Sequence, residues 1–521
     1  MGRKRGFAEG HPGAMRRTVL LSLLLLSLPA FAADEARARV QAAAEAMGGE
    51  ARLRALSSLR IQGIGHWNLL EQSERPASPW LVMYEQIDEL RVPSRQRLRQ
   101  KAEGRGATMG TWRTVTLRMD GDAVAMEFDG QMRPVGGAQL QDMRERLDSA
   151  PERVLLTALD AADLRSTPDT MLQDVPHHVV TFHHGRAAVR LFLNAHTGLP
   201  TLVETEDAHP ADMFWSVWGD VRTRLFFQSW SLEAGGLRYP RNWEWQRNDT
   251  TYHSFTVTAL ELEPKVTDAD FAIPDDVRKA FAARRDATAD DLPLGRPDRP
   301  AAELAPGVVH VPGRWDVALV KQDDGVVVIE APIASGYSAR VLDEAARRFP
   351  GMKVKAVVST SDAWPHVGGL REYAARGIPL HVLDLNHPLV ERLLKSSRAR
   401  VPDALAKAPR AAKVTEVGRR TTLGTGANRL ELIPVRTETG ERMLFVWMPE
   451  HRLLYSSDLV QPGQGGAFFN PQQLAETVDV AAREKLDVAR VFGMHLDATE
   501  WKAVMDAVEK ARAPATASAT P

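Results

Sequence analysis

Residues Ala356 to Leu370 read AVVSTSDAWPHVGGL. The apolar run Ala356–Val358 reads as a short buried strand. A polar turn leads to His366, and Gly368-Gly369 opens a helical pattern. This is the layout of a metal-binding loop at the carboxyl end of a strand. The chain contains no cysteine, so thiolate zinc sites and a cysteine nucleophile are excluded, and any metal falls to His, Asp or Glu. Yet most of the residues such a loop would need are missing. Asp362 is near enough in the loop to serve as a base or a ligand.

Two other histidine groups are His177-His178 and His183-His184. Neighbours on a strand point to opposite faces, so one of each pair at most joins a common site. No carboxylate lies nearby on the same strands, and these histidines are expected to be exposed strand residues.

The amino terminus sets the compartment. Met15-Arg16-Arg17 is a positive region, Thr18 to Leu28 an apolar core and Ala30-Phe31-Ala32 a small-x-small site. This is the layout of a secretory signal peptide over residues 1–32, with Met15 as the expected true start. The apolar run is shorter than the roughly 20 residues of a spanning helix. The expectation is a protein that does not span a membrane, exported to a bacterial periplasm or beyond. The formal net charge of the 521 residues is −1, with no long basic stretch, which argues against nucleic acid as a partner.

Elements place these residues in two halves. After a helical pattern from Glu35 to Leu56, residues 33–275 read mostly as short strands with turn residues between them, suited to antiparallel neighbours. They are 59–67, 80–85, 96–100, 114–118, 123–128, 178–182, 188–193, 202–204, 222–230, 242–246 and 254–262. A helical patch at 139–159 interrupts them. Residues 276–305 read as a helix end and a linker. From 306 to 510 strands alternate with helices. Strands are expected at 308–311, 317–321, 326–330, 353–358, 379–383, 430–434, 442–448, 452–455 and 488–492, and a closing helix at 498–510. The tail 511–521 is expected to be disordered.

The first half, on "AMGGEARLRALSSLRIQGIG", "VRLFLNAHTGLP" and "LRYPRNWEWQRN", loosely resembles the half-barrel domains of outer-membrane lipoprotein sorting. That resemblance implies a curved, mostly antiparallel sheet able to take a lipid-like or other small ligand. Trp67, Trp80, Trp112, Trp215, Trp218, Trp230, Trp243 and Trp245 would line its cavity or form ordinary core. In the second half, "VALVKQDDGVVVIEAP", "VKAVVSTSDAWPHVGGLREYAARG", "MLFVWMPEHRLLYSSDL" and "ARVFGMHLD" follow in the order and spacing of the metallo-β-lactamase superfamily. This half is similar to that family, which implies an α/β fold, an αββα sandwich with two metal ions at its loop ends.

Laid on the family motif Thr-His-x-His-x-Asp-His-x-Gly-Gly, Thr360, His366 and Gly368-Gly369 match. The other ligand positions fall on Ser361, Ala363 and Pro365, and a further histidine position near Arg436 or Thr437. The late bridging aspartate matches Asp458 and the closing histidine matches His495. The resemblance therefore implies that a dinuclear site is lost and that His366, Asp458 and His495 remain. Two imidazoles and a carboxylate can hold one zinc or iron ion with open positions, and such an ion lowers the pKa of bound water to about 7. Two readings stay open. One is a hydrolase with at most one metal, with Asp362 as its base. The other is a non-catalytic periplasmic protein, without metal, that binds a small or lipid-like ligand on a hydrolase-like scaffold. A Ser361–His366–Asp458 triad has no nucleophile elbow to carry it. Oligomeric state is not encoded in these patterns.

Overall fold

The computed structural model describes residues 18–70, 78–106 and 113–513, with side chains from residue 33 onward except at 106 and 464. The start at Met15, Trp112 and most of the tail lie outside the described residues. So do the side chains of the expected export signal. Its apolar core begins a helix, Thr18–Met47. Among the described residues no helix is long and apolar enough to cross a membrane.

The chain folds as mixed α and β structure in which strands dominate. The first half forms one antiparallel sheet of thirteen strands. Six strands step outward in chain order from Leu59–Asn68 to Gln131–Pro134, and seven step back from Thr250–Leu262 to Arg165–Leu172. The two meanders join where the first strand pairs with the last, Leu59 opposite Leu262. Helices Gly137–Asp148 and Pro151–Asp160 make the crossing between them, split by Ser149-Ala150 before Pro151. The alternation of buried and exposed residues, as in Leu59, Ile61 and Gly63, turns one face toward a core. There Val40, Ala43 and Met47 of the first helix meet Leu155, Leu159, Phe227, Trp243 and Trp245. Most of the tryptophans that sequence left between cavity and core are part of this core or packed against it.

The second half builds a seven-stranded and a six-stranded sheet. Their facing sides share one core, in which Val320, Val327 and Val358 of one sheet meet Leu432, Val446 and Tyr455 of the other. The outer face of the seven-stranded sheet packs on Tyr337, Val341, Leu370 and Val390 of its helices. The outer face of the six-stranded sheet packs on Leu474, Val480, Val504 and Val508. The wholly apolar runs Gly325–Ile329 and Leu444–Met448 are buried on both faces, which is why they read without alternation. Residues 276–305 hold the end of a helix, Asp275–Ala282, a helical turn, Ala289–Asp291, and the first strand of the seven-stranded sheet, Ala302–Ala305. Val277 and Phe281 pack on the first half, and Ala289 packs on the second.

Six strands were not legible in the sequence: 131–134, 165–172, 302–305, 414–417, 421–423 and 496–500. They are the two edges of each of the three sheets. An edge strand has one side in water and needs no apolar run.

Candidate functional site

The loop 359–370 leaves the strand Val354–Val358 and enters the short helix Trp364–Val367, whose first turn is fixed by Pro365. The paired glycines have a steric reason. A Cβ at Gly368 would stand 2.0 Å from the Ile333 carbonyl oxygen, and one at Gly369 would stand 1.9 Å from Ser338 Oγ. His366, two residues before Gly368, is 0% exposed.

Both ring nitrogens of His366 meet carboxylates. Nδ1 lies 2.9 Å from Glu330 Oε2 and Nε2 lies 2.8 Å from Asp458 Oδ2. Burial alone would lower the imidazole pKa, but the two carboxylates outweigh it and push His366 up to about 10. Burial alone would raise the Asp458 pKa, and the His366 charge and hydrogen bond hold it below the usual range instead. Glu330 also accepts hydrogen bonds from Thr360 and, at 3.1 Å, from the Tyr455 hydroxyl. Thr360 Oγ1 in turn lies 2.7 Å from Ser457 Oγ.

Glu330 and Ser457 hold left-handed backbone, with φ of +83° and +56°. Such backbone in non-glycine residues is sustained by surrounding contacts and clusters at functional places. Sequence reasoning missed Glu330. Its signal was an acid ending the apolar strand Gly325–Ile329, where the chain leaves a fully buried element.

His495, after the strand Arg490–Gly493, reaches the other oxygen of the same aspartate: its Nε2 is 3.6 Å from Asp458 Oδ1. That oxygen is buried and has no hydrogen-bond partner. Burial holds the His495 pKa below its ordinary value, with Asp458 offsetting part of the effect, so its ring is neutral near pH 7. Asp362 points elsewhere. Its nearest cation is Arg442, at 3.8 Å, and burial pushes its carboxyl up to about 6.

His366 is engaged at both nitrogens, which leaves Asp458 Oδ1 and His495 Nε2 free, and catalytic zinc centres use three protein ligands. Among the described residues, the group of three with ligand atoms within 4.8 Å of one another is His310, Asp316 and Asp497. A cation already sits there, since Arg299 pairs with Asp316 and lies 2.9 Å from Asp497.

His183 and His184 are exposed strand residues, as expected, whereas His178 is half-buried and His177 is buried. His177 is 2% exposed and bonded to the Val175 carbonyl and Thr201. His178, His183 and His184 each meet an aspartate, Asp169, Asp163 and Asp148. These carboxylates come from neighbouring elements, which same-strand spacing does not reveal. They form three separate pairs.

A cavity of about 550 Å³ lies where the two halves meet, lined by Phe214, Trp215 and Trp218 from one side and Asp362, Trp364 and Arg392 from the other. The halves are fastened beside it. The Asp220 carboxylate accepts from Ser397 Oγ at 2.6 Å and from the Ala399 amide at 2.8 Å, and Arg398 donates to the Val217 carbonyl at 2.6 Å. A larger cavity of about 840 Å³ lies within the first half, beside Leu140, Phe182, Val203 and His209.

No family model matches the sequence, and no curated protein matches it. Solved structures similar in part include the DIM-1 metallo-β-lactamase, 13% identical, covering 42% of this chain and 97% of that one with a TM-score of 0.33. The metallo-β-lactamase from Pontibacter korlensis is 14% identical and covers 42% of this chain and 98% of that one, with a TM-score of 0.32.

Proposed function

We propose that this is an exported ligand-binding protein whose second half is a metallo-β-lactamase-like αββα sandwich that has given up metal hydrolysis. The observation that carries the reading is His366. It is closed between Glu330 and Asp458, with a carboxylate at each ring nitrogen. A histidine so engaged offers no lone pair to an ion, and its positive charge meets the need a metal would meet between two buried acids. The four ordered sequence signatures and the core shared by two sheets support the sandwich. The motif at residues 15–32 supports export, and the thirteen antiparallel strands support a separate sheet domain over 33–275, curved around its helices, ahead of the 306–510 domain.

Two observations favour the other reading, a hydrolase with a single ion on His366, Asp458 and His495. The unpartnered Asp458 Oδ1 faces His495, and a carboxylate on Nδ1, here Glu330, is the usual orienting partner of a metal-bound histidine. Elemental analysis of protein purified from zinc-supplemented medium separates the two. Metal-free protein supports the binding reading. Stoichiometric zinc or iron that disappears in the Asp458→Ala, His495→Ala double variant overturns it.

A further inference from the structure

The cavity between the halves has a chemistry of its own. Its floor is aromatic: Phe214 meets Trp215 edge-on at 4.7 Å and Trp218 at 6.4 Å between ring centres. Trp364, from the loop that carries His366, forms part of the opposite wall and is itself braced edge-on by Trp315 at 5.1 Å. At about 550 Å³ the space falls within the range of small-molecule sites, about 300–1,000 Å³.

The charges around it are almost all paired. Arg222 is bonded to Asp249 at 2.6 Å, Arg247 to Glu145 at 2.8 Å and Lys395 to Glu391 at 2.7 Å. Of the acids, Asp220 accepts from Ser397 and two backbone amides, and Asp362 faces Arg442. Arg392 is the exception. Its guanidinium lies over the Trp218 ring, 4.8 Å from the centre, and among the described residues no carboxylate pairs with it. It is exposed at the cavity wall. A cation left without an acid while stacked on an aromatic wall is a ready partner for an anion carried on a flat apolar body.

We propose that this cavity binds a small amphipathic anion, its planar apolar body against Trp218 and Phe214 and its anionic group on Arg392. The proposal rests on the ligand-binding reading above and gives it a site and a ligand class. It also assigns the junction of the two halves a purpose, since neither half alone encloses the space.

The test compares two fluorescent probes that share a body and differ in charge, 8-anilinonaphthalene-1-sulfonate and the neutral N-phenyl-1-naphthylamine, on the full-length protein. The native protein is expected to bind the sulfonate about tenfold more tightly, the order of one charge-assisted contact. Arg392→Gln should abolish the preference while leaving the neutral probe unchanged, and Trp218→Ala should weaken both. Thermal melts of both variants establish that they fold, and among the described residues Arg392 has no ion pair whose loss would disturb folding. Equal affinity of the native protein for the two probes, or a sulfonate preference that survives Arg392→Gln, overturns the proposal. Metal analysis of the same preparations reports on His366, Asp458 and His495, none of which lines this cavity. The two readings therefore fail separately.

Discussion

Glu330 Oε2 stands 2.9 Å from His366 Nδ1, and the same imidazole meets Asp458 at its other nitrogen. Glu330 follows a strand of the seven-stranded sheet, His366 sits in the short helix of the loop after another strand of that sheet, and Asp458 follows a strand of the six-stranded sheet, so the contact ties the three into one polar knot. The imidazolium is the charge that lets two carboxylates share so small a volume.

The first consequence is a histidine that does not titrate near neutrality. With its pKa pushed up to about 10, His366 should keep both ring protons through pH 8 in nitrogen-detected NMR spectra. The folded value lies above the ordinary 6.5. Its contribution to stability is therefore complete below about pH 6.5 and is lost as pH rises through about 10. Glu330→Gln removes one of the two charges, so the ring should titrate lower and alkaline unfolding should begin at lower pH. Titration of native His366 near 6.5 would contradict the arrangement.

Breaking the knot should be costly. His366→Ala leaves Glu330 and Asp458 without the cation between them, and removing one partner of a buried pair costs about 3–5 kcal/mol. Denaturant unfolding should show a lower midpoint with an unchanged slope. A loss within about 1 kcal/mol, the typical range of surface pairs, would show that the knot is solvated and not closed.

What was legible in the sequence follows the same division between buried and solvated groups. Val326–Ile329 and Leu444–Met448 announce themselves because both of their faces are apolar. The edge strands Arg165–Leu172 and Leu496–Glu500 carry polar residues, and the first of them breaks register between Thr167 and Thr170. Pattern cannot find them because their second partner is water. At the site, His366, Asp458 and His495 were legible as types that do chemistry. Glu330 was not, because an acid at the end of a strand looks like the start of a loop until its burial is known. The aspartates beside His178, His183 and His184 were hidden for a related reason: pairing across strands depends on register, which spacing along one strand does not give.

The seam between the halves turns on Gly219. It adopts φ of +80°, and a Cβ there would stand 2.1 Å from the Ser397 carbonyl oxygen, inside the contact that Asp220 makes with residues 397–400. With φ of +80° and ψ of −127°, a backbone conformation that residues other than glycine seldom hold, Gly219→Ala should cost about 1–3 kcal/mol for the backbone alone, and more for the clash. Gly185→Ala is the control, with φ of +58° and open space around its Cβ. If limited proteolysis near residues 396–403 accelerates in the Gly219 variant and not in the Gly185 variant, the clash at the seam is responsible. Equal behaviour of the two would assign the whole effect to backbone strain.

Asp362 gives a prediction of opposite sign to the usual loss on mutation. Burial pushes its carboxyl from the ordinary 3.8 up to about 6, with Arg442 offsetting part of that cost from 3.8 Å. The folded chain thus holds this proton more tightly than the unfolded chain, and native stability falls on its account as pH rises from about 4 to about 6. At pH 8 the group is ionised and still largely buried, a cost on the order of 1–3 kcal/mol. Asp362→Asn removes that cost, so the variant should be more stable than the native protein at pH 8 and no more stable at pH 3.5. The gain should open across the interval between those two pKa values. Urea midpoints measured at each pH for both proteins provide the comparison, and a difference that stays constant with pH would mean that Asp362 is not held in the raised state.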